Sequence, residues 1–309
     1  MGAAGAAAGT ALAQTIALLP LLLALQKRHR VWTGAGSGAR PAGVSDWPIV
    51  GLFCPPGGMR SFVRSVKGYL SAGSLVLLRS IAKISAYSVC AREAARLGAV
   101  ASAAHNMCFQ LGVATTQLCE SIAIATQTLL AREISAGAAV QAPAAESDDQ
   151  RTVARTAARH VVIRGMQLGA IISSSVSLVT FINRRKVVDG LTILPDVRAA
   201  AYAVMPLVLT CQVLKGLAYP VSGALMGALD WGASAVAMVL AQGSTLVLVA
   251  LWSGGGRRIL ALNELWGALA ILFTVQIVAG LLRIVSGTGP WKAISGRGAD
   301  ANGAAKRDA

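Results

Sequence analysis

The chain has 309 residues, of which 55% are hydrophobic and only 13% charged, with a mean hydropathy of +0.61 and a net charge of +15. Soluble domains carry about 25% charged residues. This composition therefore excludes disorder, collagen, a coiled coil and an ordinary soluble enzyme, and predicts an all-α, polytopic membrane helix bundle.

A bilayer core of about 30 Å takes about 20 apolar residues per helix. By that measure the sequence predicts about seven transmembrane helices. The first, Gly5 to Leu25, is uncharged, and its basic residues (Lys27, Arg28, Arg30) follow the apolar run. That polarity is wrong for a secretory signal and makes the helix run from outside to inside. Residues 27–68 then read as a basic linker, rich in Gly and Pro from Thr33 to Gly58. Its GAGSG run, Gly34 to Gly38, follows no strand and opens no helix, so it is linker and not a dinucleotide loop.

The second span, Tyr69 to Ala91, carries Arg79 and Lys83 at i and i+4, on one face. The third, Leu97 to Ala131, carries Asn106, Gln110, Gln117, Glu120 and Gln127 in steps that place all five on one helix face. Val113 and Ile124 interrupt that stripe. Five polar side chains cannot face lipid cheaply, so they line a cavity or hydrogen-bond to neighbouring helices. Glu120 is the only acid well inside a span. It either titrates during solute or proton handling, or pairs with Arg79, Lys83 or Lys215.

An Ala-rich and acidic linker, Ser135 to Gln150, precedes the fourth span, Gly165 to Asn183. The fifth, Ala199 to Leu229, contains Pro206 and Pro220 as expected kink sites. It places Lys215 on the same face as Gln212, Tyr219 and Ser222. The sixth is Gly232 to Trp252, followed by a turn at Gly254 to Gly256. The seventh, Leu265 to Leu282, has no lysine, which excludes a retinal Schiff base. Basic residues of the loops fall about two to one on the side assigned inside, as the positive-inside rule requires. The same rule accounts for the net charge without nucleic acid as a partner. Within the spans three bases face one acid, so the expected interior is electropositive and favours organic anions.

No catalytic constellation stands out, and the three histidines (29, 105 and 160) form no ligand cluster, so neither an enzyme, a cofactor nor a metal site is expected. Four of the five cysteines (90, 108, 119 and 211) sit in apolar runs as small buried hydrophobes; the fifth is Cys54.

Several strings together resemble the MATE (multidrug and toxic compound extrusion) transporters, closest to their DinF-like branch. YLSAGSLVLLRS from Tyr69, ARLGAVASAAHNMCFQ and the run ending ESIAIATQTLLARE are similar to the seventh and eighth helices. Gln212 followed by SGALMGALDWGASA (Ser222 to Ala235) is similar to the tenth helix and its turn, and SGTGPW (Ser286 to Trp291) to that branch's ending. GAAAGTALAQ near the start resembles the sixth helix. Members have two six-helix lobes, so the resemblance implies the last helix of the N-terminal lobe (residues 1–26), an inter-lobe linker (27–68), a six-helix C-terminal lobe (69–291) and a flexible tail (292–309). It implies an antiporter-type efflux transporter that exchanges an organic solute for protons or sodium within a lipid bilayer. As given, the transporter would be incomplete, needing an N-terminal lobe or self-association. An inactive or regulatory half-transporter and a lipid-linked-sugar flippase are the alternatives. The plastid envelope, the vacuolar membrane and the plasma membrane are all open as locations. Carried over residue by residue, Arg79 matches a basic position of the seventh helix. His105, Gln110 and Gln127 match polar positions of the eighth, Glu120 an acid there, and Gln212 a position of the tenth. Ser222 stands where relatives commonly have an acid, and Lys215 is a charge the family pattern does not contain.

Overall fold

A computed structural model of the chain describes residues 58–140 and 148–292, together with several positions between 5 and 20. The chain divides into two compact units, Met1–Gly73 and Ser74–Ala309. In the first unit the described positions between 5 and 20 are helical, as are those from Gly58 onward. Cys54, the GAGSG run and most of the 27–68 linker lie outside the described residues, as do residues 293–309.

The elements in order are α1 (Gly58–Arg96), α2 (Ala99–Val140), α3 (Asp148–Ile182), α4 (Arg184–Leu191), α5 (Pro195–Gly227), α6 (Trp231–Trp252) and α7 (Leu262–Val285), closed by a 3-10 turn at Gly289–Trp291. There is no strand among the described residues. Among the described residues five stretches are long and apolar enough to cross a membrane: Val66–Arg96, Arg155–Ile182, Pro195–Gly227, Trp231–Trp252 and Leu262–Val285. The helix expected at Leu97 to Ala131 is present as α2, but it is not one of the five. Its polar residues, from His105 and Asn106 through Gln110, Gln117 and Glu120 to Gln127, are spread along its length.

Several boundaries differ from the sequence expectation. Helix α1 begins at Gly58, ahead of Tyr69, so the last part of the 27–68 segment is helical. It also runs through 92–96, expected as loop, and leaves only Leu97 and Gly98 to turn the chain into α2. Helix α3 begins at Asp148, well ahead of Gly165, and α2 persists to Val140, so helix enters the expected 135–150 linker from both sides. The 184–198 loop contains the short helix α4. The Gly254–Gly256 turn is present, with φ of 56°, 70° and 91°.

Helix α5 is the hub of the second unit. It packs against α2, α3 and α7, while α2 also meets α3 and α6 meets α7. Small residues set how closely these helices approach, since van der Waals packing replaces the hydrophobic effect between helices in lipid. Helix α5 continues through both Pro206 and Pro220. Pro220 has no N–H to offer the Gly216 carbonyl four residues earlier. That carbonyl lies directly against Gly169 of α3, at a spot where any Cβ would collide with it. Gly223 and Gly227 form a second seam, against the backbone of Ala123 and Gln127 on α2.

Two carboxylates hold the ends of helices. Glu93, with a side chain 3% exposed, pairs with Arg92 at 3.0 Å and Arg96 at 2.8 Å, and Arg96 also donates to the Gly256 carbonyl. Asp230, between α5 and α6, accepts from Arg283 Nε at 2.7 Å and from Trp291 Nε1 at 3.1 Å. The four described cysteines are all buried and unbridged, as expected of small hydrophobes.

Candidate functional site

The polar residues singled out in the sequence fall into two groups. Asn106, Gln110, Gln117 and Glu120 are exposed along α2, and Gln127 is half-buried. Arg79, Lys83, Gln212, Lys215 and Ser222 are instead drawn together where α1, α2 and α5 converge.

In this inner group each cation finds a hydroxyl. Arg79 Nη2 donates to Ser222 Oγ at 2.5 Å, Lys83 Nζ to the Tyr219 hydroxyl at 2.9 Å, and Lys215 Nζ to Thr116 Oγ1 at 3.1 Å. Lys83 also lies 4.9 Å from the centre of the Tyr219 ring, and Lys215 lies 5.4 Å from that of Phe273. The i, i+4 pair on α1 thus faces the 219–222 turn of α5, as the shared face of each helix requires. Gln212 is buried and both its amide atoms lack a hydrogen-bond partner. Its amide packs against Gly112 of α2, where a Cβ would displace it.

The ion pair considered for Glu120 does not form. Among the described residues no Lys or Arg nitrogen lies within 4.0 Å of its carboxylate. It acts on Arg79 only through space. All three interior cations are therefore without a carboxylate partner among the described residues.

Beside this group a cleft of about 760 Å³ opens between α1 and α2, lined by Tyr87, Ser88, His105, Asn106, Phe109 and Gln110 among others. The cleft contains two of the five stripe residues. Its aromatic lining was not singled out in the sequence, although Tyr87 follows Lys83 by one helical turn and Phe109 adjoins Gln110. Tyr87 and Phe109 meet edge to face at 5.3 Å. His105 is buried between Phe109 and Trp266, with ring centroids 6.3 and 5.4 Å away, which is a packing environment. Thr116, the Lys215 acceptor, stands one turn before Glu120 at the edge of the polar stripe, where a threonine whose hydroxyl can bond its own helix carries little signal of a partner. No group of three or more His, Cys, Asp or Glu that could hold a metal occurs among the described residues.

No family model matches the chain. It does resemble a solved structure, the outward-facing conformation of a multidrug resistance MATE family transporter of the MOP superfamily. The TM-score is 0.52 with 15% identity, over 67% of this chain and 42% of the other. The fold is accordingly that of a multi-pass membrane protein of the MATE transporter type. In sequence the chain is 30% identical over 224 residues to Protein DETOXIFICATION 42 of Arabidopsis thaliana, covering 72% of this chain and 39% of that protein. It is 27% identical over 226 residues to the same plant's chloroplastic DETOXIFICATION 44, covering 72% and 39%. With chloroplastic DETOXIFICATION 45 it shares 26% identity over 292 residues, covering 94% and 44%. The chain is a homologue of the DETOXIFICATION, or MATE, proteins and corresponds to their C-terminal part. It spans about 40% of the length of these curated relatives.

Proposed function

We propose that the chain forms the C-terminal lobe of an antiporter-type efflux transporter that exports an organic anion in exchange for protons or sodium. The observation that carries this reading is the gathering of Arg79, Lys83 and Lys215, bound only to hydroxyls, beside the open cleft and the polar face of α2. An electropositive, partly hydrated interior lowers the cost of bringing an anion to the bilayer midplane and raises it for a cation. Transport then proceeds by rocking of two lobes about a midplane site. The exposed stripe Asn106, Gln110, Gln117 and Glu120 supplies one wall, and a second lobe, from the same protein or from a partner, supplies the other. Neither an enzymatic step nor a cofactor is needed.

The test is uptake of labelled organic anions and cations into inside-out vesicles under an imposed pH or sodium gradient. The chain is expressed both alone and together with the N-terminal lobe of a relative. Gradient-driven anion uptake in the paired sample is the expected result. Uptake confined to lipophilic cations would overturn the anion assignment. Absence of transport in both samples, with the lobe correctly inserted, would favour a regulatory half-transporter. In the transporting sample, Glu120→Gln is expected to lower the gradient-driven rate about tenfold. An unchanged rate would remove Glu120 from coupling.

A further inference from the structure

A second, much smaller cavity lies deeper in the lobe, between α1, α5, α6 and α7. Arg79 and Lys83 enter it from α1, Tyr219 from α5, and Phe273 and Gln276 from α7. Its free volume is about 10 Å³, the room one water molecule needs. The cleft between α1 and α2, by contrast, could take a whole organic solute.

The charge in this cavity is out of balance. Two cations line it, and both donate to neutral hydroxyls. No carboxylate lies within 4.0 Å of either among the described residues. The one acid that acts on Arg79, Glu120, is exposed on α2 and does not line the cavity. A third cation, Lys215, sits over the Phe273 ring and adds to the positive field. Arg79 Nε is itself buried without a hydrogen-bond partner. Tyr219, having accepted a hydrogen bond from Lys83, keeps its own O–H to donate. The cavity therefore offers cationic N–H donors and a phenol O–H around a volume that suits one small particle.

Half-buried cations such as Arg79 and Lys83 are costly when no counter-charge faces them, and an anion ringed by their donors offsets that cost. We propose that this cavity binds a single monatomic anion, chloride in the cell, as the resident counter-ion of Arg79 and Lys83. The size excludes carboxylates, phosphate and sulfate. A halide has about twice the volume of a water molecule, so it enters only as the long Arg79 and Lys83 stems move outward to make room for it. The site shares Arg79 and Lys83 with the transport reading but does not depend on it: with one such ion bound, three cations against one anion still leave the lobe interior positive, and the ion's effect on stability is read without transport.

The experiment is thermal unfolding of the purified full chain in detergent, followed by tryptophan fluorescence. Gluconate is the starting anion, and it is replaced stepwise by chloride, bromide or sulfate at constant ionic strength. A saturable rise in Tm of roughly 5 °C is expected with chloride and bromide but not with sulfate. Lys83→Gln, which keeps a donor for Tyr219, is expected to lose most of that response. If that variant does not fold, chloride-35 NMR line broadening by the unaltered chain, reversed by competing bromide, gives an independent reading. Equal Tm in all four anions, an equal rise with sulfate, an undiminished response in Lys83→Gln, or no line broadening would each overturn the proposal.

Discussion

Gly223→Ala is expected to destabilise the lobe by about 2–3 kcal/mol, and Gly223→Leu to leave little folded protein. A Cβ at Gly223 would meet the Ala123 carbonyl group and lie 3.0 Å from Ala123 Cα. One turn on, a Cβ at Gly227 would lie 2.6 Å from the Gln127 carbonyl oxygen and 3.0 Å from its Cα. These are backbone atoms, so no rotamer change relieves the contact, and α2 and α5 must move apart along the seam. In lipid that loss is not offset by a water-driven attraction, because tight packing is what holds the helices together. Gly243 on α6 is the control, since a Cβ there meets nothing within 4 Å. Gly243→Ala is expected to stabilise by about 0.5–1 kcal/mol through helix propensity alone. Thermal unfolding of the three variants in one detergent checks both signs. Equal Tm for Gly223→Ala and the unaltered chain would mean that the seam is looser than these distances imply.

The apolar runs made the membrane helices legible, because a span needs a length of hydrophobic residues that few other structures contain. Helix ends were less legible. Arg60, Arg64 and Lys67 in α1, and Arg151, Arg155 and Arg159 in α3, end an apolar run without ending a helix, since Arg and Lys are good helix formers. The shared face of Arg79 and Lys83, and that of Lys215, Tyr219 and Ser222, followed from spacing. Their partnership did not: Arg79 meets Ser222 across 143 positions and Lys83 meets Tyr219 across 136. Periodicity fixes which side of a helix is polar, but the partner depends on how helices assemble. Glu120 illustrates the gap. Charge alone suggested an ion pair, whereas α2 is rotated so that Thr116 and Gly112 meet α5 and Glu120 points away.

Asp230 is the residue whose loss should cost most among those with no periodic signal at all. Its Oδ2 accepts from the Arg283 guanidinium at 2.7 Å and from the Trp291 indole at 3.1 Å, tying the α5–α6 turn to the end of α7 and to the GPW turn. Its side chain is only 11% exposed, so water competes poorly for the carboxylate. The preceding residue, Leu229, has a φ of +57°, a left-handed conformation that costs a non-glycine residue about 1–2 kcal/mol. Such a conformation persists only where its surroundings fix it: Leu229 N–H donates to the Met226 carbonyl at 3.1 Å and Asp230 N–H to the Leu225 carbonyl at 2.9 Å, and the Asp230 side-chain contacts brace the residue that follows. Asp230→Ala is therefore expected to destabilise by about 2–3 kcal/mol, as a charge-assisted bond and a second hydrogen bond are lost together. Trp291→Phe should cost less, about 1 kcal/mol, by removing only the indole donor. In the double variant the losses should fall short of their sum, because the two side chains share one carboxylate oxygen. Leu229→Gly separates strain from clamp: it should recover part of the stability of Asp230→Ala by making the left-handed turn inexpensive. If Leu229→Gly recovers nothing in the Asp230→Ala background, the turn is held by something other than the carboxylate.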